Sequence, residues 1–465
     1  MGTSPSHGRL SCSVQGSHSA ALAQLRQLVR SEPISTIVAA LGADAEVYLV
    51  GGTVRDTLLR KPTSDFDLAC SLPAVESARR LADKSIRTVD TGLRHGTILV
   101  LCGQNNVEIT SFRSAASAIC SKASIMSDIN ARDFTINAMA FPASSGDLLD
   151  PLNGLADLEA GLLRAVPPAE ERFLEDPLRI LRLVRFGPAE GRSVEEATDR
   201  AARQHAAGLD KVAPERIRNE LEKILISSNP AQAFRYMLSA GILPFVVPEM
   251  VQAAGFEQNR YHIHDVFEHT LSVIERCPPE LRLRLVALFH DLGKPQSLSV
   301  AEDGERHFYQ HETISRDICR KRLQALRFSN SETDSICRVV DLHMRPLDCG
   351  PAGLRRLMRD LGPDFDLWRV FKLADASPTI PEEETLGMLK SFDAMVVAEK
   401  ARVEKLQAGN ALAVKGEDLI GIGIKPGPRM GAILKALQEL VLDDPALNER
   451  RILLERARQM LSGRE

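Results

Sequence analysis

The chain has 465 residues, 44% hydrophobic and 26% charged, a globular balance far from disordered, collagen-like or coiled-coil compositions. Its 58 Lys and Arg against 62 Asp and Glu give a formal charge of -4, so a nucleic-acid site must be a local patch and a histone-like or sliding DNA binder is disfavoured. No apolar run approaches the ~20 residues of a bilayer span, and the eight cysteines show no CxxC spacing, which reads as free thiols in a cytoplasmic protein without a membrane partner.

The first 20 residues contain six serines and no acid, and residues 1–30 are expected to be a disordered extension. From Glu46 to about Pro142 the pattern is that of strands: "VYLV" running into two glycines, "TILVLC", the alternating "VEITSF", and "INAMAF". An α/β domain is therefore predicted over 31–150. From Leu155 to about Leu243 the spacing becomes helical, as in "DPLRILRLVRF" and "PERIRNELEKILI", and a helical domain is predicted over 151–250. Helical periodicity continues through 251–400 until "GIGIKPGPRMG" interrupts it, and a helical tail over 401–465 ends with Pro445 to Ser462.

Two clusters carry chemistry. In "YLVGGTVRDTLLRKPTSDFDLA", Gly51 and Gly52 let backbone N–H groups approach a phosphate, and Arg55 adds a fork of donors just inside a helix. Asp65 and Asp67 stand at i, i+2 on a strand, so both carboxylates point to one face and can share hard divalent cations. Glu108 on "VEITSF" supplies a third carboxylate if that strand lies alongside. Three carboxylates beside a phosphate cradle describe a two-metal phosphoryl or nucleotidyl transfer site.

The order "GGTVRDTLL", "DFDLA", "RDFTINAMA", "EDPLRILRLVRF" resembles the class II tRNA nucleotidyltransferase and bacterial poly(A) polymerase family, from about Val47 to Leu225. The stretch from Gly416 to Gln459 is similar to the tail of CCA-adding members that carry an HD domain. The resemblance implies an α/β nucleotidyltransferase head followed by mostly helical RNA-binding and HD domains, with the tail binding tRNA. It implies Mg²⁺ on Asp65 and Asp67 with Glu108 completing the set, and triphosphate binding by Gly52 and Arg55. It further implies nucleotide contact by Arg132, and base reading and phosphate binding by Asp176, Arg179, Arg182 and Arg185. The implied partners are tRNA, CTP and ATP, and the implied activity is CCA addition.

The chemistry of Asp176 and Arg179 agrees, because a carboxylate accepts and a guanidinium donates. Together they demand a base edge with an amino donor beside a ring-nitrogen acceptor. Cytosine and adenine have that edge. Uracil and guanine present a carbonyl instead and meet a penalty of roughly 1–3 kcal/mol.

The second cluster comprises His269, His290, Asp291, His311, His343 and Asp375, drawn from a chain with 11 histidines. Imidazoles with carboxylates suit Mn²⁺, Ni²⁺, Co²⁺ or Fe, whose bound water becomes a hydroxide for phosphoester hydrolysis. The pattern resembles the HD phosphohydrolase superfamily, with His269, His290, Asp291 and Asp375 as core ligands and His311 and His343 at ancillary or second-metal positions. Lys294 is expected either to pair with a substrate phosphate or to cap a helix. The resemblance implies phosphatase and 2′,3′-cyclic phosphodiesterase activity on damaged RNA ends.

Three departures from the family pattern stand out: Arg60 where Gly is usual, Ala131 where Arg is usual, and a short, sparsely charged stretch from Arg113 to Asp128. The short stretch admits a CC-adding enzyme in place of a full CCA-adding one. The same motifs are compatible with an A-adding partial enzyme, a poly(A) polymerase, or an HD phosphohydrolase whose nucleotidyltransferase part is non-catalytic.

Overall fold

The computed structural model describes residues 11–62, 65–92, 96–102, 105–113, 123–144, 146–258, 265–376, 382–407 and 412–462. They fall into two compact units, divided between Val246 and Val247.

The first unit opens with α1 (Ser11–Arg30) and α2 (Ile34–Leu41), followed by β1 (Val47–Val50), α3 (Gly51–Leu58), β2 (Asp65–Cys70) and α4 (Ala74–Asp83). Then come β3 (Thr88–Gly92), β4 (Thr97–Cys102), β5 (Asn105–Ser111), α5 (Ile125–Asn130) and β6 (Ala140–Pro142). The six strands form one sheet in the order β3-β4-β5-β2-β1-β6. β2 runs parallel to β5, and the other pairings are antiparallel. Leu49, Leu68, Ile98, Val100, Val107 and Ile109 are buried, so the β-branched and leucine positions of the strands fill the core. The segment "INAMAF" is a strand only at its end: Thr135–Asn137 is a 3₁₀ turn before β6.

The expected disordered extension over 1–30 is corrected from residue 11 onward, where α1 is helical. Ala21, Leu25 and Val29 recur every four residues and are buried, with α1 packed on α2 and α3. An apolar stripe inside a serine-rich segment outweighs its composition. Residues 1–10 lie outside the described residues.

The rest of this unit is mostly helical: α6 (Gly154–Glu159), β7 (Leu162–Leu163), α7 (Ala169–Glu175), α8 (Leu178–Phe186), β8 (Ser193–Val194), α9 (Glu196–His205), α10 (Pro214–Leu225) and α11 (Pro230–Ser239). α8 buries Leu178, Ile180, Leu181, Leu183, Val184 and Phe186, leaving its arginines on the other side.

The second unit holds α12 (Val266–Arg276), α13 (Leu281–Phe289), α14 (Lys294–Ser297), the hairpin β9 (Leu298–Val300) and β10 (Arg306–Phe308), α15 (His311–Ala325), α16 (Asn330–Leu342), α17 (Gly350–Leu361) and α18 (Phe365–Ala376). It continues with α19 (Glu382–Gln407), α20 (Gly416–Gly421), α21 (Pro428–Asp443) and α22 (Arg450–Ser462). The expected division at 400/401 falls inside α19, which runs unbroken through that point. Leu419, Leu437, Leu453 and Ala457 form a separate buried cluster in the tail. Among the described residues no helix is long and apolar enough to cross a membrane.

Candidate functional site

β2 delivers Asp65 and Asp67 to one face, and the parallel register with β5 sets Asp67 directly beside Glu108. Burial raises the Asp67 carboxyl above its ordinary range, against the pull of Arg132, the Gly52 N–H and Arg55. Burial also raises Glu108, and the neighbouring Asp67 charge adds to it. Crowded, partly desolvated carboxylates of this kind are relieved by a cation, and an oxygen-only donor set fits a hard divalent ion.

Gly51 begins α3 with φ +59, and a Cβ there would lie 3.0 Å from Arg132 Nη1 and 3.3 Å from Asp67 Oδ2. The Gly52 N–H donates to Asp67 Oδ2 at 3.2 Å. Arg55 donates to Asn137 Oδ1 at 2.6 Å and pairs with Asp56 through two bonds of 2.9 and 2.8 Å. Arg132 donates to the buried Asp128 at 2.7 Å.

Asp176 and Arg179 are each held by third parties. Asp176 accepts from Arg216 at 3.2 and 2.8 Å. Arg179 donates to Glu175 and to the Ala131 carbonyl, both at 2.9 Å. Arg182 pairs with Asp133 at 2.6 Å, and Arg185 with Glu220 at 3.0 Å. Burial opposes ionisation of Asp133, yet Arg182 and the Asn137 amide bring its carboxyl down to about 2.

All eleven sequence-predicted residues of the first cluster line one cavity of ≈ 630 Å³: Gly51, Gly52, Arg55, Asp65, Asp67, Glu108, Arg132, Asp176, Arg179, Arg182 and Arg185. Asp133, Asn137, Phe186, Arg216 and Lys223 line it too and escaped the sequence reading. For Arg216 and Lys223 the signal was present, since Arg216, Glu220 and Lys223 lie at i, i+4, i+7 on α10. The stretch Arg113 to Asp128 is described only at 113 and 123–128, so its residues 114–122 lie outside the described residues.

In the second unit, His269, His290 and Asp375 form one group of converging donors, and Asp291, His311 and His343 form another. Asp291 serves both. Its Oδ2 lies 3.3 Å from His290 Nε2 and 3.4 Å from His269 Nε2. Its Oδ1 lies 3.3 Å from His311 Nε2 and 3.7 Å from His343 Nε2. Asp375 Oδ1 lies 3.5 Å from both His269 and His290. Nδ1 of His290, His311 and His343 lies 2.8, 2.8 and 2.7 Å from the carbonyls of Ala287, Phe308 and Val340. A carbonyl only accepts, so Nδ1 carries the proton and Nε2 is the atom turned to the centre.

Burial resists charge on His290, but Asp291 and Asp375 raise it to about 10. Both carboxyls are held well below their usual range despite burial. The mixed nitrogen and oxygen donors fit a borderline transition ion, with Asp291 shaped to bridge two. The Gly293 backbone presses on α15: a Cβ there would sit 2.4 Å from the His311 carbonyl oxygen and 2.7 Å from the Ser315 nitrogen. Lys294 is tied to the donor cluster itself. Its Nζ is buried and donates to Asp291 Oδ2 and Gln258 Oε1, both at 2.6 Å.

Comparison with known proteins matches residues 47–164 to the poly A polymerase head domain and 192–253 to a probable RNA and SrmB-binding site of polymerase A. Residues 308–457 match a putative domain 2 of tRNA nucleotidyltransferases. The CCA-adding enzyme of Latilactobacillus sakei is 30% identical over 437 residues, 90% of this chain and 94% of that protein. The A-adding tRNA nucleotidyltransferase of Deinococcus radiodurans is 31% identical over 408 residues, 84% of this chain and 90% of that protein. The solved Bacillus stearothermophilus CCA-adding enzyme in complex with CTP shares the fold, with a TM-score of 0.66 at 23% identity over 93% of this chain and 100% of that one. From the in-register carboxylates, the cavity that gathers the eleven expected residues and these matches over most of the chain, the chain belongs to the class II tRNA nucleotidyltransferase/poly(A) polymerase family.

Proposed function

We propose that this protein is a template-independent nucleotidyltransferase that adds CMP and AMP to the 3′ end of tRNA from CTP and ATP, in a cytoplasmic setting. The observation that carries the reading is a single cavity holding both the Asp65, Asp67 and Glu108 carboxylates and the Asp176 and Arg179 pair. Mg²⁺ held by Asp65, Asp67 and Glu108 would supply Lewis-acid stabilisation as the tRNA 3′-hydroxyl attacks the α-phosphorus and pyrophosphate leaves. Gly51 and Gly52 give the phosphates a close approach, and Arg55 and Arg132 donate to them. Asp176 and Arg179 select an amino-bearing base edge, with Arg216 holding the carboxylate in place. The tail over 401–465 is assigned to tRNA binding. The test is product length on a tRNA ending at the discriminator base, given CTP, ATP or both. Three additions support full CCA addition, two support a CC-adding enzyme, and a single AMP added only to a tRNA already ending in CC supports an A-adding enzyme.

A second activity is favoured by Asp291, whose two oxygens face different histidine pairs. Residues 251–400 are read as an HD-type phosphohydrolase domain in which His269, His290, Asp291, His311, His343 and Asp375 hold Mn²⁺, Ni²⁺, Co²⁺ or Fe. Its substrate class is RNA ends bearing a terminal or 2′,3′-cyclic phosphate, whose removal restores the 3′-hydroxyl that nucleotide addition needs. Release of phosphate from such an end, dependent on added metal and lost in His290→Ala, tests it.

A further inference from the structure

The cavity of the first unit contains a ring surrounded by cations. Phe186 closes α8, its side chain is buried, and its ring meets Phe134 edge-on at 6.2 Å. The Cζ atoms of Arg185, Arg55 and Arg182 lie 4.0, 4.6 and 5.2 Å from its centroid. Three guanidiniums about one ring repel each other, and two things hold them there. Each has a carboxylate anchor, Asp56 for Arg55, Asp133 for Arg182 and Glu220 for Arg185. The ring also offers the negative face of its quadrupole.

With Lys223 the cations outnumber these three anchors by one. Burial lowers Arg185 to about 10, and the Arg182 charge adds to that effect despite Glu220. Lys223, on the same cavity wall, is lowered by burial and then by Arg185. Against burial, Arg182 is by contrast raised by Asp133 and Glu220, so Arg185 and Lys223 are the cations that gain most from a compact polyanion.

We propose that Phe186 is a positioning residue for the β- and γ-phosphates of the incoming nucleotide, its ring holding Arg55, Arg182 and Arg185 as one clamp. This rests on the nucleotidyl-transfer reading and extends it. The carboxylates deal with the reacting phosphate and Asp176 with the base, whereas the ring-bound arginines grip the part of the substrate that CTP and ATP share and that leaves as pyrophosphate. The clamp is therefore indifferent to the base.

The probe is inorganic pyrophosphate with Mg²⁺, titrated calorimetrically into the full chain, beside steady-state CMP addition to tRNA. Phe186→Leu removes the ring and keeps an apolar side chain, with Phe186→Met as the second variant should Leu fail to fold. Loss of the cation–ring contacts is expected to weaken pyrophosphate about tenfold and to raise KM for CTP and ATP by a similar factor. The preference for CTP over UTP stays within twofold, and kcat changes less than KM. Phe186→Tyr keeps the ring and restores pyrophosphate affinity. Unchanged pyrophosphate affinity in a folded ring-less variant, equal weakening in Phe186→Tyr, or altered base preference would each overturn the clamp. A wild-type chain that binds pyrophosphate yet transfers neither CMP nor AMP would instead overturn the nucleotidyl-transfer reading.

Discussion

Asp67 and Glu108 stand opposite each other across the parallel β2–β5 pairing, although 41 positions separate them in the chain, so one backbone register creates the carboxylate pair. Replacing Glu108 by Ala removes a donor without disturbing that ladder. Glu108→Ala and Asp67→Ala are expected to slow single-turnover CMP addition by about 10³, the equivalent of several kcal/mol of lost transition-state stabilisation. On the proposed reading of the second unit as a metal centre, the metal content measured by elemental analysis is expected to stay unchanged. Undiminished CMP addition in either variant would remove these carboxylates from the mechanism.

Base choice is expected to track Asp176 and the arginine that fixes it. Asp176→Ala raises UMP and GMP incorporation relative to CMP, because the acceptor that repels their carbonyl is gone. Arg216→Ala frees the same carboxylate from its two-bond grip. It should relax selectivity in the same direction and by less. Selectivity unaltered in both would confine α8 and α10 to a structural role.

Asp291 turns a carboxylate oxygen to each histidine group, whereas His343 belongs to one group of donors, which predicts different metal stoichiometries. After loading with Mn²⁺, Asp291→Ala should retain close to none, while His343→Ala retains about one equivalent per chain. Nucleotide addition by both should remain near wild type. Equal loss of metal in the two variants would contradict a bridging carboxylate.

The Asp133–Arg182 pair makes stability depend on pH. Asp133 is held at about 2 in the folded chain, below the ~3.9 of an unfolded aspartate. Its stabilisation is therefore complete above pH ~4 and is lost as pH falls toward 2. Asp133→Asn should cost ~2–3 kcal/mol at neutral pH, under the ~3–5 of a fully buried pair because the Arg182 side chain is 33% exposed. Denaturant curves at pH 7 and near pH 2.5 check this: the difference between wild type and variant should shrink at the lower pH.

Residues that announce themselves by local spacing were legible in the sequence. Asp65 and Asp67 need only the period of a strand to share a face, and the glycines before α3 need only their order. The residues that hold these groups were not legible. Asp133 reaches Arg182 across 49 positions and Arg216 reaches Asp176 across 40, contacts that exist only once the helices pack. Phe186 reads as one more core position of α8, because nothing in "LRLVRF" says that arginines from two elements will gather on its ring. Composition misled at α1, where many serines concealed the four-residue stripe of Ala21, Leu25 and Val29.

The approach of Gly293 to α15 bears on how the proposed metal centre of the second unit would take up an ion. With the His311 carbonyl 2.4 Å from where a Cβ would stand, the segment carrying Asp291 and the first turn of α15 meet main chain to main chain. The Gly293 N–H donates to Ser315 Oγ at 2.8 Å, and His290, His311 and His343 are oriented by carbonyls of their own helices or the preceding strand. The ordering entropy of the donors is thus spent when the chain folds and not when an ion arrives, the reverse of a zinc finger, whose ligands are gathered by the metal. A chelator should strip such a centre without unfolding it, and the stripped protein should take metal back at a rate set by access to the site rather than by refolding.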